Sequence, residues 1–325
     1  MTGPRVQLVV GAGGYLGSEI VRQARATGLP VRALVRDEAA FRALVPDPEV
    51  QVVVGDLADR RLLRRLLSGV AVAHHAALDP ASRARHRNRE ALRALVDACA
   101  RADVHLLYAS CAMVYAPAPG RLPEDAPLRS GAGGPARQHR PAEVEIAAAA
   151  HERDLRATRL RLAPLLGSGQ APGARGLLVA AIAAGKPFLD PFPAHRLLGY
   201  LDRRDAARCF LLAAEQEMAY GQVVNVAGPE PLPRVDFLRA LAAAAGRPLR
   251  RREVPAAVLR AAGRLSYHAR DLLSLAEGDL VLDGERARAL VGYTPYYTLA
   301  DSVETALRAH QSTAAGARNG GAGRG

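Results

Sequence analysis

A chain of 325 residues with a formal charge of +12 can bury a full core, as one large α/β domain or as two domains. The positive charge is almost all arginine, with Lys186 the only lysine, and it is spread through Ala-rich segments without interleaved aromatics. That distribution argues against a nucleic-acid partner and reads as a solvated surface that favours anionic small ligands. The three cysteines, Cys99, Cys111 and Cys209, have neither zinc nor disulfide spacing, so no metal is expected. No apolar run reaches membrane-spanning length and the first strand begins by residue 5, which predicts a soluble, cytoplasmic protein without a membrane partner.

The apolar run Val6–Val10 predicts a strand, and Gly11-Ala12-Gly13-Gly14-Tyr15-Leu16-Gly17 follows it directly. A helical pattern from Ser18 to about Ala26 comes next. A strand turning through glycines into a helix is a phosphate cradle: the backbone can approach the ligand, and the helix N-terminus offers free N–H groups to an anion. Val31–Arg36 reads as a second strand ending in a charge. An acidic residue at that strand end accepts the adenosine ribose hydroxyls of NAD, whereas an arginine suits the 2′-phosphate of NADP. Arg36 therefore points to NADPH, with Asp37, one residue on, keeping the ribose alternative open.

Val50–Val54 predicts a third strand followed by Gly55-Asp56-Leu57, with Asp56 and Leu57 at the rim where an adenine would sit. A helix over 59–67 precedes a fourth strand, Val70–His75, ending in Ala76-Ala77, small residues that let the chain pass close beneath a cofactor. His74 and His75 read as structural residues of that strand. A long helix over Ser82–Ala102 leads to a fifth strand, Val104–Tyr108, and then to Ala109-Ser110-Cys111. The alternation so far argues for a doubly wound parallel sheet.

Residues 116–136 are rich in proline and glycine and predict an irregular loop, placed as a lid over a cleft within 116–140. A helix over Ala142–Arg153 and a strand over Ala157–Leu162 follow, and Pro164 breaks the chain at the top of that strand. The second half predicts helices over 174–184, 203–217, 234–245, 256–263 and 300–310, with strands near Leu197–Leu201 and Val223–Val226. Residues 1–165 are thus mainly a dinucleotide-binding domain. Residues 166–311 are read as a substrate-binding region with some return to the first domain, and 312–325 as a disordered tail.

With these motifs the chain resembles the extended short-chain dehydrogenase/reductases, NAD-dependent epimerase/dehydratase-like, from residue 5 to about 310. The marks are Gly11, Gly14 and Gly17, Val31–Asp37, Gly55-Asp56-Leu57, His75-Ala76-Ala77, Tyr108–Tyr115, Leu160–Pro164 and Asn225–Leu232. The resemblance implies a Rossmann-type α/β fold. It also implies cofactor contacts at Gly11, Gly13, Gly14, Tyr15, Leu16, Gly17, Arg36, Asp56, Leu57, Ala76, Ala77, Ala109, Ser110 and Pro164, substrate contacts at Cys111 and Tyr115, and pairing into a homodimer.

One departure is plain. The family's proton relay uses a Ser/Thr, a Tyr and a Lys; here Cys111 holds the hydroxyl position, with Ser110 beside it. The Tyr-x-x-x-Lys register falls on Arg137 and Pro141, and no tyrosine or lysine occurs anywhere in 130–150. In this the chain is similar to the atypical, triad-free ketoreductases of angucycline pathways, which implies NADPH and an aromatic polyketide ketone that supplies its own proton through a neighbouring phenol. Two other readings stay open: an NADP-binding sensor or scaffold without activity, and an epimerase-like enzyme in which Cys111, His139 or Tyr115 replaces the tyrosine. Each of these three also has a plain structural reading: Cys111 in the core, His139 on a loop surface, Tyr115 packed at a strand end.

Overall fold

The computed structural model describes residues 6–78, 85–129, 136–168, 174–255, 257–258, 261–262 and 278–308. Strand β1 (Val6–Val10) is buried on both faces, with Leu8 and Val10 on one side and Val9 on the other at 0–1 % exposure. Such continuous apolar runs are what a parallel sheet covered by helices requires. Helix α1 (Gly17–Ala26) buries Ile20, Val21 and Ala24 against this sheet, each large aliphatic contributing about 1.5–3 kcal/mol. It ends where Gly28 takes a φ of +79°, a left-handed geometry that glycine adopts without steric cost.

The chain continues through β2 (Val31–Val35), α2 (Glu38–Leu44), β3 (Gln51–Val54), α3 (Arg60–Leu66), β4 (Val70–His75), α4 (Arg85–Ala102) and β5 (His105–Cys111). After β6 (Arg121–Leu122) come α5 (Ala136–Glu152), β7 (Ala157–Leu162), β8 (Leu165–Leu166), α6 (Ala174–Ala183), β9 (Phe188–Asp190), β10 (Leu197–Leu198) and β11 (Leu201–Asp202). The rest is α7 (Arg203–Ala214), β12 (Val223–Val226), β13 (Leu232–Pro233), α8 (Arg234–Ala244), β14 (Arg251–Glu253), β15 (Val281–Leu282), α9 (Glu285–Val291) and a final helix over 299–308.

Seven strands form one sheet in the order β12-β7-β5-β4-β1-β2-β3, every pairing parallel. This is the doubly wound Rossmann arrangement, and its strand order reverses between β1 and β4, where such sheets open a ligand crevice. One core lies under α1 and α7, a second under α3, α4 and α5. A third, built on Leu166, Tyr200, Phe237, Leu241 and Val303, belongs to the second half of the chain. Strand β12, from that same half, closes one edge of the main sheet.

Two expectations need correction. Helix α5 begins at Ala136, six residues before the predicted start, because Pro141 sits inside the helix instead of marking its first turn. The lid over 116–140 is likewise not a free loop where it is described. Ala116 N donates to Pro127 O (2.8 Å), Arg129 N to Val114 O (3.0 Å) and Asp283 N to Leu122 O (2.9 Å), while β6 pairs with β15. Backbone hydrogen bonding to a distant strand pins the segment, and residues 136–140 are helical. Residues 82–84, 130–135, half of 256–263, 309–310 and the tail over 312–325 lie outside the described residues.

Candidate cofactor and active site

The glycine loop is shaped at each position. Gly11 has a φ of +79°, and a Cβ there would stand 2.8 Å from Ala77 Cα. Gly14 N donates to Gly11 O at 2.8 Å, closing the turn. A Cβ on Gly17 would meet that same carbonyl oxygen at 2.2 Å. Gly13 is different: nothing lies within 4 Å of its missing side chain, so its outer face is open. Leu16 caps α1 without any side-chain hydrogen bond, and in the first turn Ser18 N donates to Gly14 O (3.1 Å) and Glu19 N to Leu16 O (3.0 Å). Ala76 N donates to Val10 O (3.0 Å), which brings Ala76-Ala77 against the loop. A helix N-terminus without a side-chain cap, an open glycine face and a floor of alanines fit the pyrophosphate of a dinucleotide.

At the neighbouring strand ends, Arg36 is exposed just past β2 and makes no ion pair among the described residues. Asp37 is committed elsewhere, its Oδ1 capping α2 through Ala40 N at 2.9 Å. Asp56 is exposed beyond β3, its Oδ1 accepting from Ala58 N (2.9 Å). Leu16 and Leu57 are buried at 6–7 % exposure, so they present backbone, not side chains, to a ligand. Tyr15 lies under the Arg203 guanidinium, 5.0 Å from its ring centroid. Pro164 is partly exposed at the end of β7, its carbonyl accepting from Leu201 N.

The end of β5 behaves otherwise. Alternation along the strand turns Ala109 and Cys111 toward the α1/α7 side with Ala76, and Tyr108 and Ser110 toward α5. Ser110 is 2 % exposed and donates to Glu143 Oε1 at 2.5 Å, so its hydroxyl is not open to the cofactor as the sequence suggested. Glu143 is also gripped by Arg161, whose Nη2 reaches Oε2 at 2.6 Å. Arg161 Nη1 donates to Glu124 O (3.0 Å), and its guanidinium lies 4.7 Å from the Tyr115 ring centroid. Tyr115 has no exposed surface and donates to Asn225 Oδ1 at 2.7 Å, so it is a packed residue and offers no contact to a substrate in this structure.

His139 sits in α5 at 6 % exposure, not on a loop surface, with Nδ1 2.9 Å from the Tyr108 hydroxyl. The ring of His75 lies 5.4 Å from that of Tyr108. Burial lowers both His75 and His139 to about 4, so both are neutral near pH 7. His74 is bound to Gln7 Oε1 at 2.8 Å and is lowered to about 3 by burial. Cys111 keeps some exposed surface, but desolvation pushes its thiol up to about 12, so it carries no thiolate at neutral pH. Arg137 and Pro141, on the Tyr-x-x-x-Lys register, lie on the exposed side of α5 and face a surface groove toward α4. Sequence reasoning missed Glu143 and Arg161. The available signal was a lone acid in the inward-facing row of an alanine-rich helix.

Among the described residues no helix is long and apolar enough to cross a membrane, and no group of three or more His, Cys, Asp or Glu could hold a metal ion. A profile of the NAD dependent epimerase/dehydratase family matches residues 7–227. The chain is 34 % identical over 306 residues to a 3-diazoavenalumate denitrifying reductase of Streptomyces sp, spanning 89 % of this chain and 95 % of that protein. It is 30 % identical over 243 residues to an NAD(P)H azoreductase of Xenophilus azovorans, spanning 75 % of each. In fold it is similar to gox2253 (TM-score 0.82, 23 % identity, 95 % of this chain and 98 % of that one). The same holds for DesIV, a dTDP-glucose 4,6-dehydratase of Streptomyces venezuelae solved with NAD and TYD bound (TM-score 0.79, 22 % identity, 95 % and 98 %). The chain belongs to the NAD dependent epimerase/dehydratase family, with the fold of an extended short-chain dehydrogenase/reductase.

Proposed function

We propose that the protein is an NADPH-dependent reductase of an aromatic substrate, delivering hydride to an acceptor that needs no acid from the protein. The observation that carries this reading is the pairing of an open glycine turn at a helix start with a buried cluster in which Ser110, Glu143 and Arg161 are engaged with one another. Bound at the cradle, a reduced nicotinamide supplies the hydride. Gly11–Gly17 hold the pyrophosphate, and Arg36 offers a guanidinium to the 2′-phosphate while Asp37 stays on its helix. The substrate is received by residues from 166–311, with Cys111 contributing a small, uncharged surface at the end of β5.

The acceptor favoured by the sequence pattern is a ketone of an aromatic polyketide of angucyclinone type. Its neighbouring phenol donates an internal hydrogen bond and then the proton, so the protein's task is placement. The diazo-reducing relative favours a second acceptor, an aryl diazo group reacting as its diazonium. Hydride addition to an aryl diazonium with loss of dinitrogen leaves the hydrogen on the ring and consumes no proton, which also suits a site without an acid. Incubation with NADPH and a panel of both acceptor classes, followed by NADPH absorbance and product mass, tests the reading. Substrate-dependent consumption with a reduced product is expected. Retained NADPH binding with no consumption across the panel would overturn it in favour of a sensor.

A further inference from the structure

Arg203, the first residue of α7, is 5 % exposed and reaches back to the glycine loop, 188 positions away in the chain. Its Nη1 donates to Tyr15 O at 3.2 Å, and its Nη2 donates to Glu19 Oε2 at 2.8 Å and to Ser168 Oγ at 3.2 Å. Gly167 turns the chain beside this contact at a φ of +137°, a backbone conformation that favours glycine, and a Cβ on it would be in ordinary contact with Arg203 Cβ (3.4 Å) and the Tyr15 hydroxyl (3.5 Å). Glu19 matters because it sits in the first turn of α1 at 8 % exposure. A buried carboxylate there opposes binding of an anion at the same helix terminus. Arg203 and Arg22 both pair with Glu19 Oε2, which leaves that turn with a net positive charge.

We propose that Arg203 is a positioning residue for the cofactor: it neutralises Glu19 and pins the Tyr15 carbonyl, which orients the N–H of the same peptide, on Leu16, for the dinucleotide pyrophosphate. The contact to Ser168 ties the same loop to the chain that follows β8. The inference rests on the reading of Gly11–Gly17 as a dinucleotide cradle. Because the pyrophosphate is common to both nicotinamide cofactors, Arg203 acts on NADPH and NADH alike, unlike Arg36.

The test measures NADPH and NADH dissociation constants by fluorescence titration for the wild-type chain, Arg203→Met, Arg203→Lys and Arg203→Met with Glu19→Gln, with urea unfolding in parallel. Arg203→Met is expected to weaken both cofactors by the same factor, on the order of tenfold. Removing the stranded carboxylate with Glu19→Gln is expected to recover at least about threefold of that loss, a rescue that a purely structural defect would not show. Arg203→Lys keeps a charge on Glu19 but loses the fork, and falls between. A folded Arg203→Met that binds within about twofold of wild type, or a loss that Glu19→Gln leaves untouched, would overturn the inference. Should Arg203→Met not fold, wild-type affinity in Arg203→Lys would overturn it equally. Failure of the cradle reading looks different: the wild-type chain itself would bind neither cofactor.

Discussion

The glycine loop and the floor of α5 lie at strand ends of one sheet, yet they treat polar groups in opposite ways. At the loop, α1 starts without a side-chain cap and the face of Gly13 is open. Under α5, Ser110, Glu143, Arg161, Tyr115 and Asn225 satisfy one another in a buried chain. The first arrangement is preorganised for an anion from outside. The second is part of the scaffold, because buried polar groups need partners and here the protein supplies them.

The largest expected effect tests the second half of that contrast. Glu143→Ala strands the Arg161 guanidinium in the core and is expected to cost about 3–5 kcal/mol in urea unfolding; a cost under about 1 kcal/mol would mean the pair is not a structural lock. The first half is tested by Gly17→Ala, which drives a methyl into the Gly11 carbonyl. NADPH affinity should fall on the order of a hundredfold, and an unchanged dissociation constant would show that the loop does not form the cradle.

Acid should weaken the packing at α5, as at the other buried histidines. His139 is lowered to about 4 when folded against an ordinary value of 6.5, so between those values the unfolded chain binds more protons than the folded one. Stability present above pH 6.5 is therefore lost as pH falls toward 4, by about 1.4 kcal/mol per pH unit for each such histidine. His139→Asn, which keeps an acceptor for Tyr108, should make urea stability less steep across that window; an unchanged slope would mean the ring is not buried as described. Two smaller effects sharpen the cofactor assignment. Arg36→Ala should weaken NADPH about tenfold and NADH hardly at all, measured by titration. Asp37→Ala should cost about 1 kcal/mol through the lost α2 cap and leave NADH affinity unchanged; a large NADH loss would put its carboxylate at the ribose.

Much of the first half was legible because its strands and helices are long and periodic: β1, β2, β4, β7 and α1 fall within a residue or two of their predicted spans. The pairs β6–β15 and β9–β14 were not, since two- or three-residue strands held by distant partners leave no periodic trace. Pro141 misled the start of α5, and with it the placement of His139, because proline is commoner at a helix start than inside one. The glycine turn between β1 and α1 was readable from local spacing alone. The missing Tyr-x-x-x-Lys pattern was readable only as an absence in the sequence, while the buried cluster joins Ser110, Glu143 and Arg161 from three elements and needed the fold to be seen.

The central claim is that hydride transfer here proceeds without an acid from the protein. It is tested most directly by single-turnover rates of NADPH oxidation for wild type, His139→Asn and Cys111→Ala, with whichever panel acceptor the wild type reduces. The account predicts rates within about threefold of one another and no new pH dependence. A fall of roughly a hundredfold or more in either variant, with NADPH affinity intact, would contradict it and make that residue the acid.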